Sequence, residues 1–144
     1  MRAMVVEDDV SNLKYLCAAL KPYGDIIVAT NGNEALELFR RFVSKGTPVD
    51  VIFLDILMPD RDGFEVEKEI RGWEEQNQIP YEQRVKVIMA TGAAETNFVL
   101  KGFKLGCDLY LPKPFSLKQL AGFMKELGFQ KLKDSNLPEP PLPS

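Results

Sequence analysis

Hydrophobic residues along this chain form short apolar runs that alternate with segments of helical periodicity. The runs have the length and β-branched content of strands, and the segments between them repeat apolar positions every three or four residues. The pattern predicts strands over residues 2–6, 25–30, 49–54, 85–90 and 108–111. It predicts helices over residues 11–21, from an Asn33 cap to Gly46, over 63–76 and 96–105, and after Ser116, which forms a capping box with Gln119.

Strict alternation of strands and helices predicts an α/β fold in which helices cover both faces of a parallel sheet. Right-handed crossovers leave few topologies, and we expect a doubly wound, flavodoxin-like sheet of order 2-1-3-4-5. In that order the first and third strands are neighbours at the switch point, where ligands bind beyond the carboxyl ends of the strands. Asp8, Asp9 and Asp55 would then meet in one crevice, with Thr91 and Lys113 at its flanks.

The composition predicts one domain and a short tail. The chain has 144 residues, of which 45% are hydrophobic and 27% charged, as is ordinary for a globular protein. We expect a domain over residues 1–129 and a proline-rich tail over residues 130–144, in disordered or polyproline II form. Residues 73–84 make a long polar connection, either a solvated insertion or a partner contact.

The net charge and the amino-acid composition argue against several classes of function. The net charge is -3 without a basic stripe, which argues against DNA binding, and no apolar stretch reaches the length of a membrane span. Histidine is absent, which excludes histidine metal ligands and a phosphohistidine on this chain. Cys17 and Cys107 are expected to be small core residues in a reducing compartment, which favours a cytoplasmic location.

Several short motifs lie next to the ends of the predicted strands. We give them in the order in which they occur along the chain. They are Glu7-Asp8-Asp9, Asp55-Ile56-Leu57-Met58-Pro59 followed by Asp62-Gly63, Thr91-Gly92, Gly106-Cys107-Asp108-Leu109-Tyr110 and Lys113-Pro114-Phe115. From about residue 1 to residue 128 the chain resembles receiver domains of the two-component response-regulator family, including stand-alone, CheY-like receivers.

The resemblance implies a magnesium-dependent phosphoacceptor site. Asp55 would accept the phosphoryl group. Asp9 and Asp55 would be the direct ligands of Mg²⁺, or alternatively Mn²⁺, with Asp8 binding through water or orienting Asp9; the sequence does not rank Asp8 and Asp9. The family pattern adds the backbone carbonyl of Leu57. Oxygen ligands of this kind suit Mg²⁺, which keeps several waters.

The resemblance also assigns the remaining polar residues. Lys113, before a cis Pro114, would neutralise the phosphoryl oxygens, and the Thr91 hydroxyl would bind one of them after phosphorylation. Thr91 and Tyr110 would then act as the switch. The surface of the fourth helix, fifth strand and fifth helix would change shape and bind a downstream protein.

The implied partners are a sensor histidine kinase or phosphotransfer protein and a downstream protein target. The chain is expected to be a monomer or weak dimer that acts in chemotaxis or a phosphorelay, without enzymatic turnover of a separate substrate. No effector domain is expected after the tail.

Four other classes compete with this interpretation. A dehalogenase-type phosphatase would need a second acid at Leu57. A flavodoxin-like FMN protein would need a hydroxyl- and glycine-rich loop in place of Glu7-Asp8-Asp9, and a P-loop NTPase would need a glycine-rich lysine loop. A phosphorylation-independent scaffold with a receiver fold is the strongest alternative.

Overall fold

The structure, a computed structural model, describes residues 1–58, 60–92 and 106–132, the side chain of Thr91 excepted. Its strands are β1 (Arg2–Val6), β2 (Asp25–Ala29), β3 (Val51–Asp55), β4 (Lys86–Thr91) and β5 (Leu109–Pro112). Its α-helices are α1 (Val10–Leu20), α2 (Gly32–Ser44), α3 (Gly63–Gln76) and α4 (Leu117–Glu126). The last of these corresponds to the fifth helix predicted from the sequence. Short 3₁₀ helices follow α1 at Lys21–Tyr23 and precede β4 at Tyr81–Gln83.

The five strands form one parallel sheet of order β2-β1-β3-β4-β5, which confirms the predicted topology. β1 and β3 are neighbours, and Val6 pairs with Leu54 at their carboxyl ends. Asp55 pairs with Ala90, and Thr91 pairs with Pro112. The ends of β1, β3, β4 and β5 therefore lie side by side, where the crossover rule places the functional site.

Alternation along the strands gives the sheet two apolar faces, because successive side chains point to opposite sides. In β1 and β3 the even-numbered apolar side chains belong to one hydrophobic cluster and the odd-numbered ones to the other, and in β4 this assignment is reversed. One cluster joins the sheet to α2 and α3, and includes Met4, Ile52, Leu54, Phe39, Val66 and Ile70. The other joins the sheet to α1 and α4, and includes Val5, Phe53, Ile88, Leu16, Leu20, Leu120 and Met124. Helices thus cover both faces.

Several local predictions differ from the structure or lie outside it. Asn31, not Asn33, caps α2: its side chain accepts a hydrogen bond from Glu34 N at 2.8 Å, because the helix begins at Gly32. Cys107 is buried, whereas Cys17 is only partly so. The helix predicted over residues 96–105 and most of the tail lie outside the described residues, so the division at residue 129 stays a prediction. None of the described helices is long and apolar enough to cross a bilayer.

The capping box at α4 is confirmed. The Ser116 side chain accepts a hydrogen bond from Gln119 N at 3.1 Å, and the Gln119 side chain accepts one from Ser116 N at 2.9 Å. Each bond satisfies a backbone donor that the first helical turn leaves without an internal partner. Gly128 follows this helix with a φ of 88°, in the left-handed region that favours glycine at the end of a helix.

Arg71 of α3 links its own helix to the start of β4 and to the segment before β5, at the edge of the sheet where the strands begin. Its guanidinium donates to the carboxylates of Glu74 at 2.7 Å and Asp108 at 3.1 Å. These carboxylates also accept backbone bonds from the start of β4, Glu74 from Val85 N and Asp108 from Val87 N, each at 2.8 Å. One cation thereby fixes two buried or half-buried acids that bind the backbone at the start of β4.

Glu67 is a second acid in this part of the core, and it has no such partner. Its side chain is fully buried, and its two carboxyl oxygens accept no hydrogen bond within the described structure. Burial raises the pKa of Glu67 to about 8, an effect that Arg71 reduces and Asp108 reinforces. The uncharged form is the one that this apolar setting favours.

We expect this carboxyl to make stability depend on pH. Because the folded pKa of about 8 lies above the ordinary value of 4.5, the folded state binds the proton more tightly. The stabilisation is complete below pH 4.5 and is lost as pH rises through about 8. Glu67→Gln should remove it, so that the wild-type free energy of unfolding falls by about 2–4 kcal/mol relative to this variant over that range.

Urea unfolding at several pH values measures this difference. Acids that both proteins share cancel in the comparison, which isolates Glu67. Parallel pH profiles for the two proteins would contradict an uncharged Glu67 in the folded state.

Candidate functional site

Three carboxylates meet where β1 and β3 end. Oxygen atoms of Glu7, Asp8 and Asp55 all lie within 4.8 Å of one another. Glu7 and Asp55 are buried, at 2% and 7% exposure, while Asp8 is exposed to solvent. Buried carboxylates so close together repel each other unless a cation compensates them, so the cluster has the charge and the oxygen atoms of a divalent metal site.

Lys113 supplies a positive charge from the loop after β5. Its ammonium contacts the carboxylate of Glu7 and lies 3.5 Å from Oδ2 of Asp55. The Lys113 side chain is 15% exposed, so both ion pairs are shielded from water. The Lys113–Pro114 peptide bond is cis, as the resemblance implies. This lysine can face any anion that binds at Asp55.

The pKa of Asp55 reflects these opposing neighbours. Burial raises it most, Lys113 lowers it, and the Glu7 carboxylate raises it again, which gives a pKa of about 6. An ordinary aspartate titrates near 3.8. Perturbation of this size by burial and a specific charge partner is typical of functional carboxylates. At neutral pH Asp55 remains largely ionised, and its oxygens are therefore available as a nucleophile or as metal ligands.

The loop after β3 is held close to Asp55. Leu57 N donates to Oδ1 of Asp55 at 3.2 Å, and Gly63 N donates to the carbonyl of Ile56 at 2.9 Å. A Cβ at Gly63 would come within 2.5 Å of the Asp55 carbonyl oxygen, so only glycine allows α3 to begin here. The same loop carries the Leu57 carbonyl that the resemblance implies as a ligand.

Asp60 fastens this loop to α2. Its two carboxylate oxygens accept hydrogen bonds from Gly32 N at 3.1 Å and Asn33 N at 2.9 Å. These amides belong to the first turn of α2, which has no internal acceptors for them. A Cβ at Gly32 would approach Cβ of Arg61 to 2.8 Å, so the close contact again requires glycine. Asp60 is a residue of the site region that the sequence reasoning did not single out.

Asp9 lies outside the carboxylate group. Its side chain is the N-cap of α1 and accepts a hydrogen bond from Asn12 N at 3.0 Å. Glu7, which was not predicted as a site residue, takes part in the group instead. Two signals in the sequence pointed this way: Glu7 directly follows a buried strand, and an aspartate just before a helical segment is a preferred cap.

The two predicted switch residues lie beside the site on β4 and β5. Thr91 ends β4, next to the residue that pairs with Asp55; its side chain is outside the described structure. Tyr110 lies on β5 and packs partly buried against the cluster that includes α2 and α3. Burial raises the pKa of its hydroxyl, which therefore stays protonated. The roles of Thr91 and Tyr110 as a switch stay predictions.

A groove lies beside Lys113. It has a volume of about 700 Å³ and lies between α1 and α4. Tyr15 of α1 donates to the carbonyl of Phe115 at 3.3 Å, and the two rings meet edge to face with centroids 5.5 Å apart. Gln119 and Asn12 line the groove with polar groups.

Comparison with known proteins agrees with this geometry. The model of the response regulator receiver domain family matches residues 3–125. The chain is 36% identical over 120 residues to a probable transcriptional regulator, ycf27, of Guillardia theta, covering 83% of this chain and 42% of the relative. It is 33% identical over 128 residues to hybrid signal transduction histidine kinase L of Dictyostelium discoideum, covering 88% of this chain and 7% of the relative.

Two solved structures show the same relationship. The receiver domain of the Saccharomyces cerevisiae response regulator Ssk1, crystallised with the histidine phosphotransfer signaling protein Ypd1, is 28% identical with a TM-score of 0.75. That match covers 89% of this chain and 88% of the other. The BeF3-activated DrrB receiver domain is 28% identical with a TM-score of 0.68, over 88% and 95% of the two chains.

This chain belongs to the response regulator receiver domain family, and it is a receiver domain of a two-component response regulator. Receiver domains are signalling modules rather than enzymes that turn over a separate substrate, and they bind Mg²⁺ at an acidic pocket. The chain spans less than half the length of the first curated relatives that it matches.

The contact between Asp60 and α2 predicts a measurable loss on mutation. Asp60→Ala leaves two amides of the first helical turn without their side-chain acceptor, and we expect a loss of about 1–2 kcal/mol in the free energy of unfolding. Asp60→Asn keeps one acceptor oxygen and should lose less. Urea titration measures both variants, and an Asp60→Ala midpoint equal to that of the wild type would contradict the role of this carboxylate.

Proposed function

We propose that this receiver domain is a phosphoacceptor and that Asp55 takes a phosphoryl group from the phosphohistidine of a sensor kinase or phosphotransfer protein. One observation carries the proposal: Asp55 is buried at the end of β3, in a group with two further carboxylates, and has the Lys113 ammonium 3.5 Å away. A nucleophile, a compensating positive charge and oxygen atoms of the kind that bind divalent metals therefore lie close together.

Each group has a defined part in the transfer. A carboxylate oxygen of Asp55 attacks phosphorus, the phosphorus–nitrogen bond of the donor breaks, and its electron pair remains on the donor imidazole, which takes up a proton. The reaction depends on alignment and charge stabilisation more than on a base. Lys113 already contacts Glu7 and lies near Asp55, so its ammonium can turn to the incoming oxygens with little movement.

The acidic group suits Mg²⁺, with Mn²⁺ as an alternative. Its donors are carboxylate oxygens, and the exposed Asp8 leaves room for the waters that Mg²⁺ retains. We propose that Asp8 and Asp55 hold the metal directly with the Leu57 carbonyl, and that Glu7 orients Lys113. In this proposal the acidic pair after β1 is Glu7 and Asp8, whereas the sequence led us to expect Asp8 and Asp9. A bound metal would neutralise charge that develops on the phosphoryl group.

The output follows from the charge that phosphorylation adds. An aspartyl phosphate places about two negative charges near Lys113. We propose that the Thr91 hydroxyl then binds a phosphoryl oxygen and that Tyr110 turns inward. The surface built from residues 96–105, β5 and α4 would change, and a downstream protein would select the changed form.

The pathway is proposed only at the level of its chemistry. The donor is a histidine kinase or phosphotransfer protein, the recipient of the signal is a protein, and the setting is the cytoplasm. Chemotaxis and a phosphorelay remain alternatives. Protein binding as a monomer or weak dimer, without direct DNA binding by this domain, is consistent with a net charge of -3.

Phosphorylation of Asp55 is tested by substitution. Incubation of the wild type with Mg²⁺ and acetyl phosphate should add one phosphoryl group, which intact-mass spectrometry detects, and Asp55→Asn should abolish the addition because an amide is not a nucleophile here. Asp62→Asn is the matched control, since asparagine also caps a helix and Asp62 caps α3.

Two results would count against the proposal. Persistent labelling of Asp55→Asn at another residue would remove Asp55 from its role. A wild type that accepts no phosphoryl group from acetyl phosphate or a phosphorylated histidine protein would favour the phosphorylation-independent scaffold.

The metal assignment is tested by a matched pair of substitutions. Asp8→Asn should raise the dissociation constant of Mg²⁺ by about tenfold or more, because it removes a charged ligand. Asp9→Asn should change it by less than about twofold, because asparagine preserves the N-cap of α1. Isothermal titration calorimetry measures both. A larger effect of Asp9→Asn than of Asp8→Asn would restore the pair expected from the sequence.

A further inference from the structure

The loop between β3 and α3 carries a group that is proposed to bind the metal through the backbone. Leu57 lies two residues after Asp55, and its side chain is 59% exposed, so packing of that side chain contributes little to its position. The placement of the Leu57 carbonyl therefore depends on the course of the loop. Mg²⁺ demands near-ideal octahedral geometry, which makes its affinity sensitive to the placement of each oxygen.

Two hydrogen bonds shape this loop from within. Leu57 N donates to Oδ1 of Asp55 at 3.2 Å, and Gly63 N donates to the carbonyl of Ile56 at 2.9 Å. Both bonds join residues of the same short stretch, at the end of β3 and the start of α3. They define the turn of the chain, but they do not fix its position relative to α2.

Asp60 makes the connection between this loop and α2. One carboxylate oxygen accepts a hydrogen bond from Gly32 N at 3.1 Å, and the other accepts one from Asn33 N at 2.9 Å. The backbones approach closely here, because a Cβ at Gly32 would lie 2.8 Å from Cβ of Arg61 and 2.9 Å from Cγ2 of Val66. The loop therefore rests directly against the first turn of α2.

The neighbouring Arg61 offers a second contact with a helix, but a weaker one. Its guanidinium contacts the carboxylate of Glu69 on α3, and the two side chains are 35% and 38% exposed. Ion pairs at the surface contribute little, because water screens them. Asp60 is also exposed, yet it places a negative charge at the positive end of a helix and binds two amides that lack internal acceptors. Asp60 is therefore the stronger link.

We propose that Asp60 is a positioning residue for the metal, because its contact with α2 holds the loop in the conformation in which the Leu57 carbonyl binds Mg²⁺. This inference rests on the proposed function and adds a coupling between metal binding and the first turn of α2. Asp60 acts through the loop, since it is not a member of the group formed by Glu7, Asp8 and Asp55.

The affinity for Mg²⁺ tests the positioning role. We expect Asp60→Ala to raise the dissociation constant of Mg²⁺ by about fivefold, because both bonds to α2 are lost and the loop samples other conformations. Asp60→Asn keeps one acceptor oxygen and should give a smaller rise. Isothermal titration calorimetry on the full chain measures both variants, and far-UV circular dichroism verifies that each is folded.

Two variants on either side of the contact serve as matched controls. Asn31→Ala removes the N-cap of α2, and Asp62→Ala removes the N-cap of α3, so each weakens a helix terminus and leaves Asp60 in place. We expect either control to change the dissociation constant by less than about twofold. A rise in the controls as large as that in Asp60→Ala would overturn the proposal, because loosening of a helix end would then explain the effect.

Hydrogen exchange measured by NMR provides a readout that a purely structural contact would not change. Coupling between two sites is reciprocal, so saturating Mg²⁺ should slow exchange of the Gly32 and Asn33 amides in the wild type by up to the same factor. In Asp60→Ala, Mg²⁺ should leave both rates unchanged. Wild-type rates that do not respond to Mg²⁺ would overturn the coupling.

The titrations also separate this inference from the proposed function on which it rests. A wild type that binds Mg²⁺, together with an Asp60→Ala variant of equal affinity, would overturn the positioning role and leave the metal site intact. A wild type that binds no Mg²⁺ would overturn the proposed metal site, and the role of Asp60 with it.

Discussion

The interaction on which the site depends is the contact of one ammonium group with two buried carboxylates. Lys113 meets Glu7 and lies 3.5 Å from Asp55, in a place where both acids are almost fully removed from water. One positive charge does not balance Glu7, Asp8 and Asp55, and burial together with Glu7 raises the pKa of Asp55 to about 6. The residual negative charge is what makes the pocket receptive to a divalent cation, and the lysine is what makes it receptive to a phosphoryl group.

The surrounding fold holds these groups in position through backbone contacts. Gly63 lets α3 begin against the Asp55 carbonyl, and Asp60 binds two amides at the start of α2. The loop that carries Leu57 is thereby fixed at both of its sides. At the opposite edge, Arg71 has the corresponding structural role, because it joins the start of β4 to the segment before β5. The two edges of the sheet therefore serve different purposes, one chemical and one structural.

Much of this arrangement could be predicted from the sequence, because it depends on local patterns. Apolar runs and helical spacing predicted all five strands, their order and the bounds of α3, and the motif order predicted Asp55 and Lys113 at one edge. One prediction was wrong by two positions, because Asn31 rather than Asn33 caps α2. At the site, Glu7 lies in the carboxylate group whereas Asp9 caps α1, and the roles of Asp8 and Asp9 in metal binding stay predictions. A sequence pattern does not distinguish neighbouring polar residues at the end of a strand. The path of the backbone decides which of their side chains enters the site.

The sequence by itself determined the class of fold, the family and the edge at which the chemistry occurs, since strand periodicity and crossover handedness leave little freedom. Only the tertiary structure decided which acids are buried together and that Glu67 is buried without a described hydrogen-bond partner. It alone showed an apolar cavity between α2 and α3, bordered by Trp73 and the segment after α3. The physical reason is that burial and electrostatic coupling depend on contacts between distant segments, such as Lys113 with Glu7, which no local pattern encodes.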